Sequence, residues 1–319
     1  MRKLGRSGLE IAPLVLGGNV FGWTADEATS FAILDAFVAA GFNCIDTADV
    51  YSRWMPGHTG GESETVLGAW LKARGGRDKV IIATKFGAPM ADDKKGLSKA
   101  YMMQAVEASL KRLGTDYIDL YQSHFDDPET PQDEVAEGFA ELVKQGKARA
   151  IGASNFTAER LKSAIETAER HHQPRYESLQ PQYNLADRDR FEGDLQELCC
   201  QEDVGVICYY GLAAGFLTGK YRSEADLGKS QRGRGVKRYL DARGMRILKA
   251  LDDVAAEAGS TPAQVALAWL MAQPGVTAPI ASATSVEQLG EIMGSAHLRL
   301  EAEQLKALDA ASAPASVAA

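Results

Sequence analysis

Short apolar runs alternate with amphipathic stretches along most of the chain. Leu14–Gly18, Asn43–Ala48, Val80–Lys85, Ile118–His124, Ala148–Ser154, Ser178–Tyr183, Gly205–Tyr210 and Val276–Ala283 read as strands. Several are nearly unbroken apolar runs, such as Val80-Ile81-Ile82-Ala83, which suits parallel strands covered on both faces. Between them, Met103, Val106, Leu110 and Leu113 fall on one face of a 3.6-residue period. Val135, Phe139 and Leu142 repeat that pattern, as do Val66 with Trp70 and Ile247, Leu251 and Val254. Ser98, Thr157, and Thr261 before Pro262, stand where helix N-caps belong. Gly75-Gly76, Gly114, Gly146, Gly205 and Pro274-Gly275 punctuate the units. Eight strands alternating with helices predict an α/β fold, a single (β/α)8 TIM barrel domain over residues 1–319. Residues 2–12 are expected to form a short hairpin before it. A C-terminal helical segment should follow it, with 312–319 as a frayed tail. A doubly wound sheet is the alternative, but Leu16-Gly17-Gly18-Asn19-Val20-Phe21-Gly22 lacks the GxGxxG spacing that would follow its first strand.

Composition narrows the class. With 45% hydrophobic and 24% charged residues, the chain is neither disordered nor fibrous. Its 35 Lys and Arg stand against 43 Asp and Glu, a formal charge of −8 that argues against a broad nucleic-acid or anionic-membrane surface. The uncharged stretch Ala258–Val286 is broken by Pro262, Pro274 and Pro279, so no membrane span is expected. Met1–Gly8 is charged and has no apolar core, which predicts no signal peptide. Cys44, Cys199, Cys200 and Cys208 show no CxxC or metal-ligand spacing, and read as reduced thiols of a cytoplasmic protein without a metal.

A barrel of this kind carries its chemistry at the C-terminal ends of the strands. Polar residues at those ends are Asp46, Asp49 and Tyr51 after the second strand, Thr84-Lys85 on the third and Ser123-His124 on the fourth. The fifth offers Ser154-Asn155, the sixth Gln180, Gln182 and Asn184, and the seventh Tyr209-Tyr210. A lysine after four apolar strand residues is costly to bury without a partner, and Asp46 is within reach on the neighbouring strand. A paired Lys85 beside Tyr51 should favour the phenolate and bring the phenol's pKa down toward useful values. Tyr51 then reads as a general acid, and His124 as a group that orients a substrate oxygen.

These residues lie in a series of motifs. They are Gly41-Phe42-Asn43-Cys44-Ile45-Asp46-Thr47-Ala48-Asp49-Val50-Tyr51, with Gly61, Glu64 and Gly68 after it; Lys85 behind Ile82; and Asp119-Leu120-Tyr121-Gln122-Ser123-His124. Gly146-Lys147, Ile151-Gly152-Ala153-Ser154-Asn155-Phe156 and Gln180-Pro181-Gln182-Tyr183-Asn184 follow. In this order the chain resembles the aldo-keto reductases over nearly its whole length. The resemblance implies hydride transfer between a nicotinamide cofactor and a carbonyl carbon, with Asp46, Tyr51, Lys85 and His124 as the catalytic tetrad. It also implies that Ser154, Asn155 and Gln180 hold the carboxamide and that Tyr209 stacks on the nicotinamide. Leu212, Gly215, Leu217, Gly219 and Lys220 match the stretch that binds the pyrophosphate, while Ser282, Thr284 and Gln288 match the adenosine end. The run Lys220–Arg238 carries seven basic residues against two acidic ones.

The chain departs from the family pattern at Tyr210 and Gly211, where Ser and Pro are common, and at Ser282, Gln288 and Ile292. NADP(H) is favoured by the resemblance, but no Arg or Lys follows Ser282 before Arg299 to meet a 2′-phosphate, so NAD(H) or dual use stays open. Asn19, Trp23, Trp54 and Phe125 are candidates to wall a pocket for a small aldehyde, ketone or alcohol, with Met55 and His58 on the same loop as Trp54. Two other function classes are a cofactor-binding regulatory barrel with little turnover and a Schiff-base lyase using Lys85. Substrate, direction and oligomeric state are not written in these patterns.

Overall fold

The computed structural model describes residues 1–313. Eight parallel strands close into a barrel: β3 (Val15–Gly17), β4 (Cys44–Asp46), β5 (Ile81–Phe86), β6 (Ile118–Ser123), β7 (Ala148–Ser154), β8 (Ser178–Gln180), β9 (Gly205–Cys208) and β10 (Val276–Ala281). Each strand pairs with the next, and β10 returns to β3 through Ile280 opposite Val15 and Ala281 opposite Leu16. Around them lie α1 (Glu27–Ala39), α2 (Glu62–Arg74), α3 (Lys99–Leu113), α4 (Gln132–Lys144), α5 (Ala158–Arg170), α6 (Asp194–Gln201), α7 (Ala242–Glu257), α8 (Pro262–Met271), α9 (Val286–Gly294) and α10 (Ala302–Ser312). The expected (β/α)8 barrel is therefore the fold. The three expected N-caps act as such: the Ser98, Thr157 and Thr261 side chains accept from the Tyr101, Arg160 and Gln264 amides. No helix among the described residues is long and apolar enough to cross a membrane.

Strand alternation sorts the residues of β6. Asp119, Tyr121 and Ser123 face outward, to the guanidinium groups of Arg77 and Arg149, the Phe139 ring and the Tyr176 hydroxyl respectively. Leu120 faces the interior with Val15, Cys44, Ala83, Ala150, Ile207 and Ala278, and by the same period Gln122 and His124 do too. Strand β8 is shorter than the apolar run suggested. Pro181 has no N–H to continue the ladder, and only Gln182 bridges onward to Tyr209.

The expected N-terminal hairpin is present as β1 (Arg2–Lys3) and β2 (Glu10–Ile11). It stoppers the N-terminal end of the barrel. Leu4, Leu9 and Ile11 join the interior cluster, each contributing about 1.5–3 kcal/mol by burial. Gly5 makes the close approach, since a Cβ there would lie 2.4 Å from the Glu177 carbonyl oxygen and 2.7 Å from the Gly205 nitrogen. At the other end of the chain, Ser312 is the last residue of α10 and is buried, not frayed, because Arg188 donates to its hydroxyl and Arg243 to its carbonyl. The rest of the expected tail, 314–319, lies outside the described residues.

Candidate active site

The C-terminal ends of β4, β5 and β6 bring the first three candidates together. Lys85 Nζ donates to Asp46 Oδ2 at 2.7 Å and to the Thr47 carbonyl at 2.8 Å. Both side chains are buried, at 1% and 3% exposure. Burial pulls the lysine pKa down, but the Asp46 and Tyr51 partners outweigh it and hold the ammonium above its ordinary value. Asp46 Oδ1 accepts from Gln180 Nε2 at 2.8 Å and from Gln122 Nε2 at 3.4 Å. The carboxylate is thus held by one cation and two amides.

Tyr51 stands over this pair, its ring centroid 4.9 Å from Lys85 Nζ. The expectation that Lys85 lowers the phenol below its ordinary value is not met. Burial pushes the Tyr51 phenol up, and Lys85 pulls against that without overcoming it. The physical reason is burial, which disfavours a charged phenolate, with Asp46 adding to it against the pull of Lys85. Tyr51 is therefore a phenol at neutral pH, the form a proton donor needs.

His124 faces Tyr51 edge to face, with ring centroids 6.0 Å apart. Burial, together with the Lys85 charge, holds its pKa well below the ordinary histidine range, so the imidazole is neutral. Its Nδ1 is buried without a partner among the described residues. Its backbone carbonyl accepts from Asn155 Nδ2 at 2.9 Å.

On the far side of Asp46 the next set is also contiguous. Asn155 accepts the Tyr209 hydroxyl at 2.7 Å on Oδ1 and donates through Nδ2 to His124 O and Ser154 Oγ. Ser154 Oγ donates to the Gln180 carbonyl at 2.8 Å. Gln180 uses its amide nitrogen on Asp46, and its side-chain oxygen accepts from no described residue. Tyr209 packs on the interior cluster, whereas Tyr210 turns outward and is 48% exposed. The bond to Asn155 fixes the Tyr209 ring.

The loop after β9 bends through left-handed backbone at Tyr210, Ala213, Ala214, Gly215 and Gly219. The bend ties the loop to itself: the Ala213 amide donates to the Tyr210 carbonyl, those of Gly215 and Leu217 to the Leu212 carbonyl, and that of Gly219 to the Phe216 carbonyl. At Gly215 (φ 93°) a Cβ would come 3.2 Å from Lys220 Cε, so the glycine lets the exposed lysine lie against main chain. The side chain of Leu217 is buried and that of Leu212 half-buried. At the seam between β10 and β3, Ser282 Oγ donates to Asn19 Oδ1 at 2.6 Å. Gln288 Oε1 accepts from both the nitrogen and the hydroxyl of Thr284 at 3.0 Å. Asn19, a candidate for the substrate wall, is thus tied to Ser282.

Those aromatics are connected. Trp54 lies 5.7 Å from the Tyr51 ring and 5.4 Å from Trp23, both edge to face, and Phe125 stacks on His124 at 4.9 Å. Trp54 and Phe125 are each about half exposed. A hollow of about 820 Å³ lined by Arg77, Leu110, Thr115, Tyr117 and Lys147 opens at the opposite end of the strands, away from this cluster.

Two contributors escaped the sequence reading. Gln122 carries no role in the motif, although only Ser123 separates it from His124 and strand alternation puts both inside. Arg232 belonged to the basic run but was not singled out. Its guanidinium lies 5.4 Å from the Trp23 ring, and its Nη2 and Trp23 Nε1 are both buried without partners among the described residues. Three orphaned polar atoms, on Trp23, His124 and Arg232, therefore line one region beside Tyr51. Together with the open Gln180 oxygen and the exposed Lys220, they fit an extended, polar, anionic ligand.

A family model described as the aldo/keto reductase family matches residues 13–313. The chain is 36% identical over 317 residues to the uncharacterized oxidoreductase YrpG of Bacillus subtilis (strain 168), covering 96% of this chain and 94% of that one. It is 34% identical over 335 residues to protein tas of Escherichia coli (strain K12), covering 97% and 96%. It is 32% identical over 342 residues to aldo-keto reductase AFTS1 of Alternaria alternata, covering 97% and 91%.

Proposed function

The chain belongs to the aldo/keto reductase family and is an oxidoreductase, and from that premise we propose that it interconverts an aldehyde or ketone and its alcohol with a nicotinamide dinucleotide, NADP(H) foremost and NAD(H) as a second option. The observation that carries the reading is the convergence of Tyr51, Lys85, Asp46 and His124 from three neighbouring strand ends. When bound, the dinucleotide supplies or accepts the hydride. The protein's own part is proton transfer and charge control. In the reducing direction Tyr51, held as a phenol by burial, gives its hydroxyl proton to the carbonyl oxygen. The phenolate left behind faces the Lys85 ammonium, which is fixed by Asp46. His124, held neutral, presents an N–H donor that orients the same oxygen.

Ser154, Asn155 and Gln180 would hold the carboxamide, with the Gln180 side-chain oxygen free to accept an amide N–H. Tyr209, fixed by Asn155, would offer a ring face. The loop with Leu212, Gly215, Leu217, Gly219 and Lys220 would take the pyrophosphate, and Ser282, Thr284 and Gln288 the adenosine. Asn19, Trp23, Trp54 and Phe125 would wall the substrate side.

Lys85 is a poor candidate for a Schiff base, since its amine is protonated, buried and held by Asp46 and the Thr47 carbonyl. Titration with NADPH and with NADH, read by cofactor fluorescence, followed by an aldehyde, ketone and alcohol panel, tests the proposal. Binding of either cofactor with oxidation of NAD(P)H by a carbonyl compound is the expected result. No binding of either cofactor would overturn it, and binding without turnover of any panel member would favour a regulatory barrel.

A further inference from the structure

The peptide unit that follows Tyr51 is gripped at both of its polar ends. Its carbonyl accepts from the Gly61 amide at 2.9 Å and the Ser63 amide at 3.4 Å, at the start of α2. Its N–H, that of the buried Ser52, donates to Glu62 Oε2 at 3.2 Å. The same carboxylate accepts from the Thr59 amide at 2.8 Å and from the Gly60 amide at 3.0 and 3.2 Å. One side chain in the first turn of α2 therefore closes the whole 52–60 loop back onto the residue that begins it. A second tie inside the loop, Ser52 Oγ to His58 Nδ1 at 2.9 Å, holds the buried serine that Glu62 grips. The carboxylate suits its place, because a negative charge is favourable at a helix N-terminus and charge-assisted bonds to amides are the strong ones.

We infer that Glu62 is a positioning residue for Tyr51: by fixing the peptide that follows the tyrosine, it aims the phenol at the reacting oxygen and holds Trp54 in place beside it. Glu62 acts through backbone and belongs to neither the tetrad nor the cofactor-binding set. A phenol oxygen lies far from its own peptide, so a small rotation there displaces it by about 1 Å. Misplacement on that scale costs up to about a hundredfold in rate. Glu62→Gln keeps one carbonyl oxygen and loses the charge and one acceptor, while Glu62→Ala removes the grip altogether. The inference rests on reading Tyr51 as the proton donor, so the test needs one arm that does not.

The experiment uses the full chain in two measurements. The first is amide hydrogen exchange of residues 52–60 without ligand, in parent, Glu62→Gln and Glu62→Ala. The second is single-turnover oxidation of NADPH by an aldehyde that the parent reduces, alongside NADPH affinity. Glu62→Ala should speed exchange across the loop at least tenfold. It should also slow the turnover step by about ten- to a hundredfold while NADPH affinity stays within twofold, and Glu62→Gln should recover part of both losses. Unchanged exchange would show that the grip does not exist. Faster exchange with an unchanged turnover step would show that it anchors the loop without aiming Tyr51. Either result overturns the inference. Tyr51→Phe run alongside separates the two ideas: if that variant keeps its rate, the proton-donor reading fails, while the exchange arm still decides the grip.

Discussion

Removing the Lys85 ammonium is the sharpest physical test of the site. An exposed pair of this length would contribute about 0–1 kcal/mol. Here the partners are 1% and 3% exposed and 2.7 Å apart, so loss of one leaves the other charged and dry. In Lys85→Met the Asp46 carboxylate keeps only the Gln180 and Gln122 amides. The expected loss of stability at pH 7 is about 3–5 kcal/mol, the range for breaking a buried pair on one side. Asp46→Asn strands the ammonium on the Thr47 carbonyl and should cost a similar amount. The double variant carries no buried charge and retains an acceptor for Gln180. It should therefore fall well short of the sum of the two losses, with a coupling on the order of 3 kcal/mol. Urea unfolding followed by the fluorescence of the four tryptophans measures all three. Strict additivity, or a Lys85→Met protein within about 0.5 kcal/mol of the parent, would refute the reasoning, since both would mean that water reaches the pair.

Three other outcomes are expected. Tyr51→Phe should slow hydride transfer by about a hundredfold to ten-thousandfold with cofactor affinity nearly unchanged, read by stopped-flow absorbance; equal loss of both would contradict the role given to the hydroxyl. His124, held below its ordinary range by burial, binds its proton more readily in the unfolded chain, so stability should decline as pH falls below about 6.5. His124→Gln should flatten that acid-side decline in pH-dependent unfolding, and an unchanged slope would speak against a buried neutral imidazole. Burial and the neighbouring Glu64 push the Asp49 carboxyl well up, and its Oδ1 has no partner among the described residues. A raised carboxyl contributes stability at low pH that is lost as pH rises through its folded value. Asp49→Asn should thus match or exceed the parent in urea at pH 8, and a loss above about 2 kcal/mol would show that the carboxylate form is needed.

The barrel was readable because its signals are local. Unbroken apolar runs, caps at Ser98, Thr157 and Thr261, and glycine punctuation each act within a few residues, and each appears in the structure. The meeting of Asp46, Lys85 and His124 was readable because strand ends in a barrel converge whatever the loops do. What escaped depends on longer loops and on sums of opposing effects. Arg232 reaches Trp23 only because the basic run Lys220–Arg238 folds back toward the aromatic residues, and composition cannot say which of seven cations arrives there. The direction of the Tyr51 shift depends on burial and Asp46 against the pull of Lys85, a balance that needs depths and distances. The Glu62 grip is invisible to spacing, since it binds backbone that any sequence would carry.

The seam between β3 and β10 sets a schedule for biosynthesis. Val15 finds its partner in Ile280, which leaves the ribosome only after most of the chain has been made. At about 5–20 residues per second, the first strand waits for tens of seconds with one edge unsatisfied. Until Ile280 arrives the ring cannot shut, so yield in a cell should depend on what shields the unpaired edge of Val15 meanwhile.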